Sequence, residues 1–181
     1  MKRREIIAAA GGLLLGVNSI HGAKPATPQT MKPQIGDVLV HAFGDDGGSV
    51  IHADDIHHAR IFAFPMSADG VVRSGSLHNQ LSVLRLEEGA MSSMTRRYAA
   101  GPIVAISAAC THTGCEVSGW QRQTHEMVCP CHGSRFDVLN AARVMQGPAT
   151  KPLALLPIEQ QQGTIRVTGK FSRRVGPDPV F

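Results

Sequence analysis

All four cysteines of this chain lie between residues 110 and 131, in two short segments. The first is Cys110-Thr111-His112-Thr113-Gly114-Cys115, the second Cys129-Pro130-Cys131-His132-Gly133-Ser134. Each carries a thiol and an imidazole at short spacing, so the frame reads C-x-H, sixteen residues (113–128), then C-x-x-H. Residues two apart on a strand point the same way without converging, so each pair reaches a single metal only from a bent loop. Gly114 and Gly133 supply permissive backbone in both loops. A zinc ion held by two Cys and two His is one solution to this pattern. It leaves Cys115 and Cys131 idle.

The rest of the chain must hold those loops still. With 181 residues, 43% hydrophobic and 18% charged, it suits one domain that can bury a core. Aromatic residues are 4%, so the core rests on Val, Ile, Leu, Ala and Met. No helical period runs for long. Short β-rich segments recur at 38–42, 60–64, 81–86, 103–109, 127–129, 153–158 and 164–168, mostly bounded by Gly, Pro, Asp or Asn. Asp45-Asp46-Gly47-Gly48 reads as a turn, and Gln162-Gly163 as the turn of a hairpin. One short helix is expected over 91–99, started by Ser92 or Ser93. The pattern predicts a small all-β domain.

Residues 1–23 read as an address. Lys2, Arg3 and Arg4 precede the uncharged run 6–17. Twelve residues fall short of the roughly 20 that cross a hydrocarbon core. This is signal-peptide anatomy, and the paired arginines resemble a twin-arginine export signal. Ala23 suits a cleavage point and His21 does not, so an uncleaved short anchor is the competing reading. Residues 24–36, with Pro25, Pro28 and Pro33, are expected as a flexible linker, and 37–181 as the folded domain. Without the first 23 residues the balance is 15 basic against 13 acidic, and no basic stripe with interleaved aromatics remains. Nucleic acid is therefore not an expected partner.

The two cysteine segments resemble the Rieske iron–sulfur family, whose motifs are C-T-H-x-G-C and C-P-C-H-G-S. The resemblance is to its high-potential, disulfide-containing type, related to the iron–sulfur subunit of ubiquinol–cytochrome c reductase. It implies an antiparallel β sandwich with a small cluster-binding subdomain at about 103–152. It also implies one 2Fe–2S cluster, with Cys110 and Cys129 on the buried iron and His112 and His132 on the outer iron. Cys115 and Cys131 would form a disulfide tying the two loops together. Imidazoles in place of two thiolates remove two negative charges, which raises the potential to roughly −150 to +300 mV. The implied chemistry is one-electron transfer, with the outer imidazoles as electron port. The disulfide suits an oxidising compartment, in agreement with the leader.

Neighbouring residues tune such a centre. Ser134 stands where high-potential members place a hydroxyl on a bridging sulfide. Phe136 stands where quinol-oxidising members usually carry Tyr, and Phe has no donor. Thr113 replaces a Leu common in cytochrome bc-type proteins. Gly147-Pro148-Ala149 resembles the family's proline loop over the cluster, with Thr150 in place of a second Pro. These departures disfavour quinol as direct partner. The expected function is an exported electron carrier, periplasmic or on the outer face of the inner membrane, or the small subunit of an oxidoreductase. Its expected partners are a c-type cytochrome or a catalytic subunit. The alternative is the iron–sulfur subunit of a quinol–cytochrome c oxidoreductase. A ring-hydroxylating oxygenase needs a second iron domain, for which the chain has no room.

Other candidates carry less. The run His52 to His58 is expected as a solvated loop, Met91 and Met94 as core, and Trp120 as packing beneath the two loops. Arg96-Arg97 and Arg173-Arg174 are expected as solvated surface, with docking of an acidic redox partner as the alternative reading.

Overall fold

A computed structural model describes residues 27–57 and 60–179. The expected leader, 1–23, and His58 lie outside the described residues. Among the described residues no helix is long and apolar enough to cross a membrane.

The architecture is β almost throughout. One sheet has seven strands: β1 (Val38–His41), β2 (Ile61–Met66), β3 (Leu81–Arg85), β4 (Ile103–Ser107), β9 (Leu155–Leu156), β10 (Ile158–Gln161) and β11 (Thr164–Val167). Their order is β10-β11-β1-β2-β3-β4-β9, and every neighbouring pair is antiparallel. A second sheet is an antiparallel meander of β5 (Gly119–Gln121), β6 (Glu126–Val128), β7 (Arg135–Asp137) and β8 (Arg143–Gln146), inserted between β4 and β9.

Strand periodicity explains the two cores. On β4, Ile103 and Ala105 point to one face, Val104 and Ile106 to the other, and all are buried. The first face joins Leu39, Ala63, Leu81, Val83, Leu156, Ile158, Ile165 and Val167, so the large sheet curls around a shared interior. The second face joins Met127, Phe136, Val138 and Leu155, and with them Cys110 and Cys129. The small sheet therefore packs on the outer face of β3 and β4, and the cysteine loops grow from that contact.

Local signals account for the boundaries. The helix α1 (Ser93–Tyr98) starts at Ser92, whose hydroxyl accepts from the Thr95 amide. Met91 is buried but Met94 is exposed, so only the first is core. Gln162 and Gly163 both have positive φ and close a two-residue hairpin between β10 and β11. The expected strand 153–158 is two strands. Pro157 has no amide hydrogen, and at Pro157 the chain leaves β4 and pairs with β11 instead.

The stretch expected as a flexible linker differs. From Thr27 onward it lies on the body. Arg73 donates to the Pro28 carbonyl at 3.2 Å, Asn79 to the Met31 carbonyl at 2.8 Å, and the Gly75 amide to Gln29 at 3.0 Å. Beneath it a buried ion pair joins Arg73 Nε to Asp37 at 2.6 Å. This pair, supported by a second bond of 3.0 Å, orders what composition alone reads as solvated chain.

Candidate metal centre

Both cysteine loops close by the same pair of hydrogen bonds. In the first, the Gly114 amide donates to the Cys110 carbonyl at 3.0 Å and the Cys110 amide to Cys115 at 2.8 Å. In the second, the Gly133 amide donates to the Cys129 carbonyl at 3.0 Å and the Cys129 amide to Ser134 at 2.8 Å. Gly114 at φ +84° and Gly133 at φ +70° take the left-handed conformation that each turn requires. The first loop leaves the end of β4, and the second spans β6 and β7. Two chemically parallel loops thus stand side by side, with the Cα atoms of Cys115 and Cys131 6.6 Å apart.

Their side chains converge. Cys110 and Cys129 are free and buried. Burial pushes the Cys110 thiol up, and Cys129 lies within hydrogen-bonding reach of it. A thiolate there needs a cation beside it. His112 is half-buried and His132 exposed. Their Nδ1 atoms stand 3.3 Å apart and their rings meet edge-on at 4.7 Å. Cys115 and Cys131 form a disulfide between the loops. The sulfurs of Cys115, Cys131 and Cys129 all lie within 4.8 Å of one another. Since two of these are bonded together, the three are not a metal triad; the disulfide instead packs against the inner thiol Cys129.

A third loop closes the site. The fully buried Ser134 hydroxyl accepts from the Ala149 amide at 3.1 Å. No acceptor for its own proton is present among the described residues. Thr111 donates to the Lys151 carbonyl at 2.6 Å, so the loop 147–151 is bonded to both cysteine loops. Phe136 is fully buried in the same core as Cys110 and Cys129. Trp120 packs partly buried against that core, as expected, with its indole Nε1 buried and unpartnered.

Sequence reasoning missed the supports. Arg60 donates to the carbonyls of Val117, Ser118 and Gly119, and its guanidinium lies 4.1 Å over the Phe62 ring. Burial lowers its pKa, while Glu116 nearby raises it. Gln80 donates to Glu116 at 2.9 Å. Nothing local in sequence announces contacts over such separations. Thr111, inside the first motif, could have been singled out by its place between Cys110 and His112. The run from His52 forms a short 3-10 turn with Asp55 accepting from the His52 amide, and among its described residues no metal group gathers.

An all-β protein with paired thiols inside, paired imidazoles outside and a disulfide across two loops defines a class of redox metalloprotein. Residues 68–157 match the family model described as the Rieske [2Fe-2S] domain. The chain belongs to that family. It is 39% identical over 99 residues to a cytochrome bc1 complex Rieske iron–sulfur subunit of Streptomyces lividans, covering 54% of this chain and 58% of that protein. With the subunit of the same name from Mycobacterium tuberculosis it shares 32% over 107 residues, covering 56% of this chain and 25% of that one. The chain thus matches only part of these relatives. Among solved structures, the plasma membrane Rieske protein of a Synechocystis is 24% identical with a TM-score of 0.40, covering 61% of this chain and 86% of that one. The soluble domain of a Rieske protein of Sulfolobus acidocaldarius is 21% identical with a TM-score of 0.42, covering 53% and 66%.

The family's cofactor is one 2Fe–2S cluster, and the donor set fits it. Two buried thiols, two adjacent outer imidazoles and a buried hydroxyl with an unspent proton provide what such a group requires.

Proposed function

We propose that this chain passes single electrons through a Rieske cluster, holding it by Cys110 and Cys129 within and by His112 and His132 at the surface. The observation that carries this reading is the edge-on pair of imidazoles outside two buried, unbonded thiols. The cluster supplies a one-electron couple. The protein supplies a rigid frame, a buried Ser134 hydroxyl in the second cysteine loop whose proton would be free for a cluster sulfur, and a covering loop at 147–151 that limits water. Exposure of His132 gives the electron a short exit to a docked partner.

On this reading the chain works in the periplasm or on the outer face of the inner membrane, delivered by a twin-arginine signal. A c-type cytochrome or a catalytic oxidoreductase subunit takes or gives the electron. The support is the leader sequence together with a disulfide, which persists in oxidising compartments. A second reading, the iron–sulfur subunit of a quinol–cytochrome c oxidoreductase, is favoured by the names of the relatives. Gentle extraction from the source membranes separates the two. Co-purification with b-type haem supports the second reading; release of a coloured protein without b-type haem supports the first.

A further inference from the structure

A concave groove of about 910 Å³ lies between the N-terminal stretch and the C-terminal strap. Four cations line it: Lys32, Lys170, Arg173 and Arg174. All four are exposed, no carboxylate lines the groove, and none of the four makes an ion pair among the described residues. Apolar groups stand among them. Ile35 is 76% exposed, the most exposed large hydrophobic among the described residues, and Phe171 lies half-buried in the wall.

We propose that this groove is a docking surface for an anionic phospholipid bilayer. Lysine and arginine around a protruding aliphatic side chain match the interfacial region, where headgroup phosphates meet the first methylenes. An unpaired cluster with no carboxylate among its lining residues has the charge complementary to such a surface. Its place in the chain agrees: Lys32 follows the uncharged run 6–17 by fifteen residues, so the groove lies where the chain leaves its most apolar segment. The strap also reaches the metal centre. Two residues beyond Val175, which lines the groove, Pro177 stands 3.6 Å from where a Cβ on Gly114 would lie. Docking through the groove therefore holds the cysteine loops beside the headgroups. That restricts the partner to proteins that present their redox group near the membrane surface.

The test is vesicle flotation of the cluster-loaded full chain. Vesicles of pure phosphatidylcholine are compared with vesicles in which about a third of the lipid is phosphatidylglycerol, whose negative surface potential attracts Lys and Arg. The variants are K170E/R173E/R174E, I35S, and R96E/R97E as a basic pair outside the groove. The leader is the same in all, so differences between variants report the groove. The proposal expects binding about tenfold stronger to anionic vesicles, weakened by salt, lost in the triple variant and reduced in Ile35→Ser, with R96E/R97E unchanged. An unchanged visible spectrum in each variant shows that the domain is intact. Equal binding to both vesicles, no loss in the triple variant, or an equal loss in R96E/R97E overturns it. So does binding only to an acidic protein partner. Electron transfer by the cluster is read separately by voltammetry in solution, so failure here leaves the proposed function standing.

Discussion

Gly147 lies so close to Ser134 that a Cβ built on it would stand 2.6 Å from the Ser134 Cα and 2.8 Å from its amide nitrogen. Those atoms are backbone, so they have no rotamer with which to yield. The covering loop and the second cysteine loop are therefore fitted to each other at a position with φ of +89°.

Gly147→Ala should destabilise the domain by about 2–4 kcal/mol, through collision and positive φ together. Gly133→Ala is the control: its φ is +70° but nothing lies within 4 Å, so only the conformational cost of about 1 kcal/mol remains. Thermal unfolding of the two variants should separate them clearly. Equal costs would mean that the Gly147 contact does not matter.

Ser134→Ala removes the hydroxyl and leaves the Ala149 amide, paired to it at 3.1 Å, without a partner. The midpoint potential should fall by about 60 mV or more, as expected for losing a hydrogen bond to a charged acceptor. Stability should fall by about 1–3 kcal/mol. Protein-film voltammetry and denaturant melts check the two effects.

Phe136→Tyr adds a donor at a fully buried position in the core shared with Cys110 and Cys129. A hydroxyl bonded to ligand sulfur should raise the potential by about 40 mV, the equivalent of about 1 kcal/mol in a one-electron couple. An unchanged or lower midpoint in voltammetry would rule out this account of the Phe.

Glu126 is paired with Arg135 through Nε at 3.1 Å, and this bond, with another from Thr124, holds its carboxyl below the ordinary glutamate range. A depressed carboxylate adds stability above its unfolded pKa and loses it as pH falls through the folded one. Glu126→Gln should therefore remove about 1 kcal/mol or less at neutral pH and nothing at strongly acidic pH. Melts from neutral pH down through the carboxylate range measure this.

The metal centre was far more legible in sequence than its supports. Cysteine and histidine spacing marks the loops because ligand chemistry allows few substitutes. The central strands were legible too: 38–42, 81–86 and 103–109 overlap β1, β3 and β4, whose apolar residues make continuous or alternating runs. Strands β5, β7 and β8 left no such trace. Gly119-Trp120-Gln121 and Arg135-Phe136-Asp137 are three residues each, with at most one residue buried, so no period can show. The Arg73–Asp37 pair was invisible because its partners lie 36 residues apart. Ala141 and Ala142 adopt positive φ without a glycine to announce it. The N-terminal stretch hides its order in the same way: proline and polar residues suggest a linker, while from Thr27 onward distant donors on Arg73 and Asn79 hold it to the body.

The most direct test is of nitrogen on the iron. Iron and sulfide assay of the purified protein, with electron–nuclear double resonance on its reduced form, should find two irons, two sulfides and two histidine nitrogens coupled to the paramagnetic centre. One of the two nitrogen couplings should be lost on replacing His112, and the other on replacing His132. A colourless protein holding one zinc, or an iron centre with no coupled nitrogen, would contradict the account.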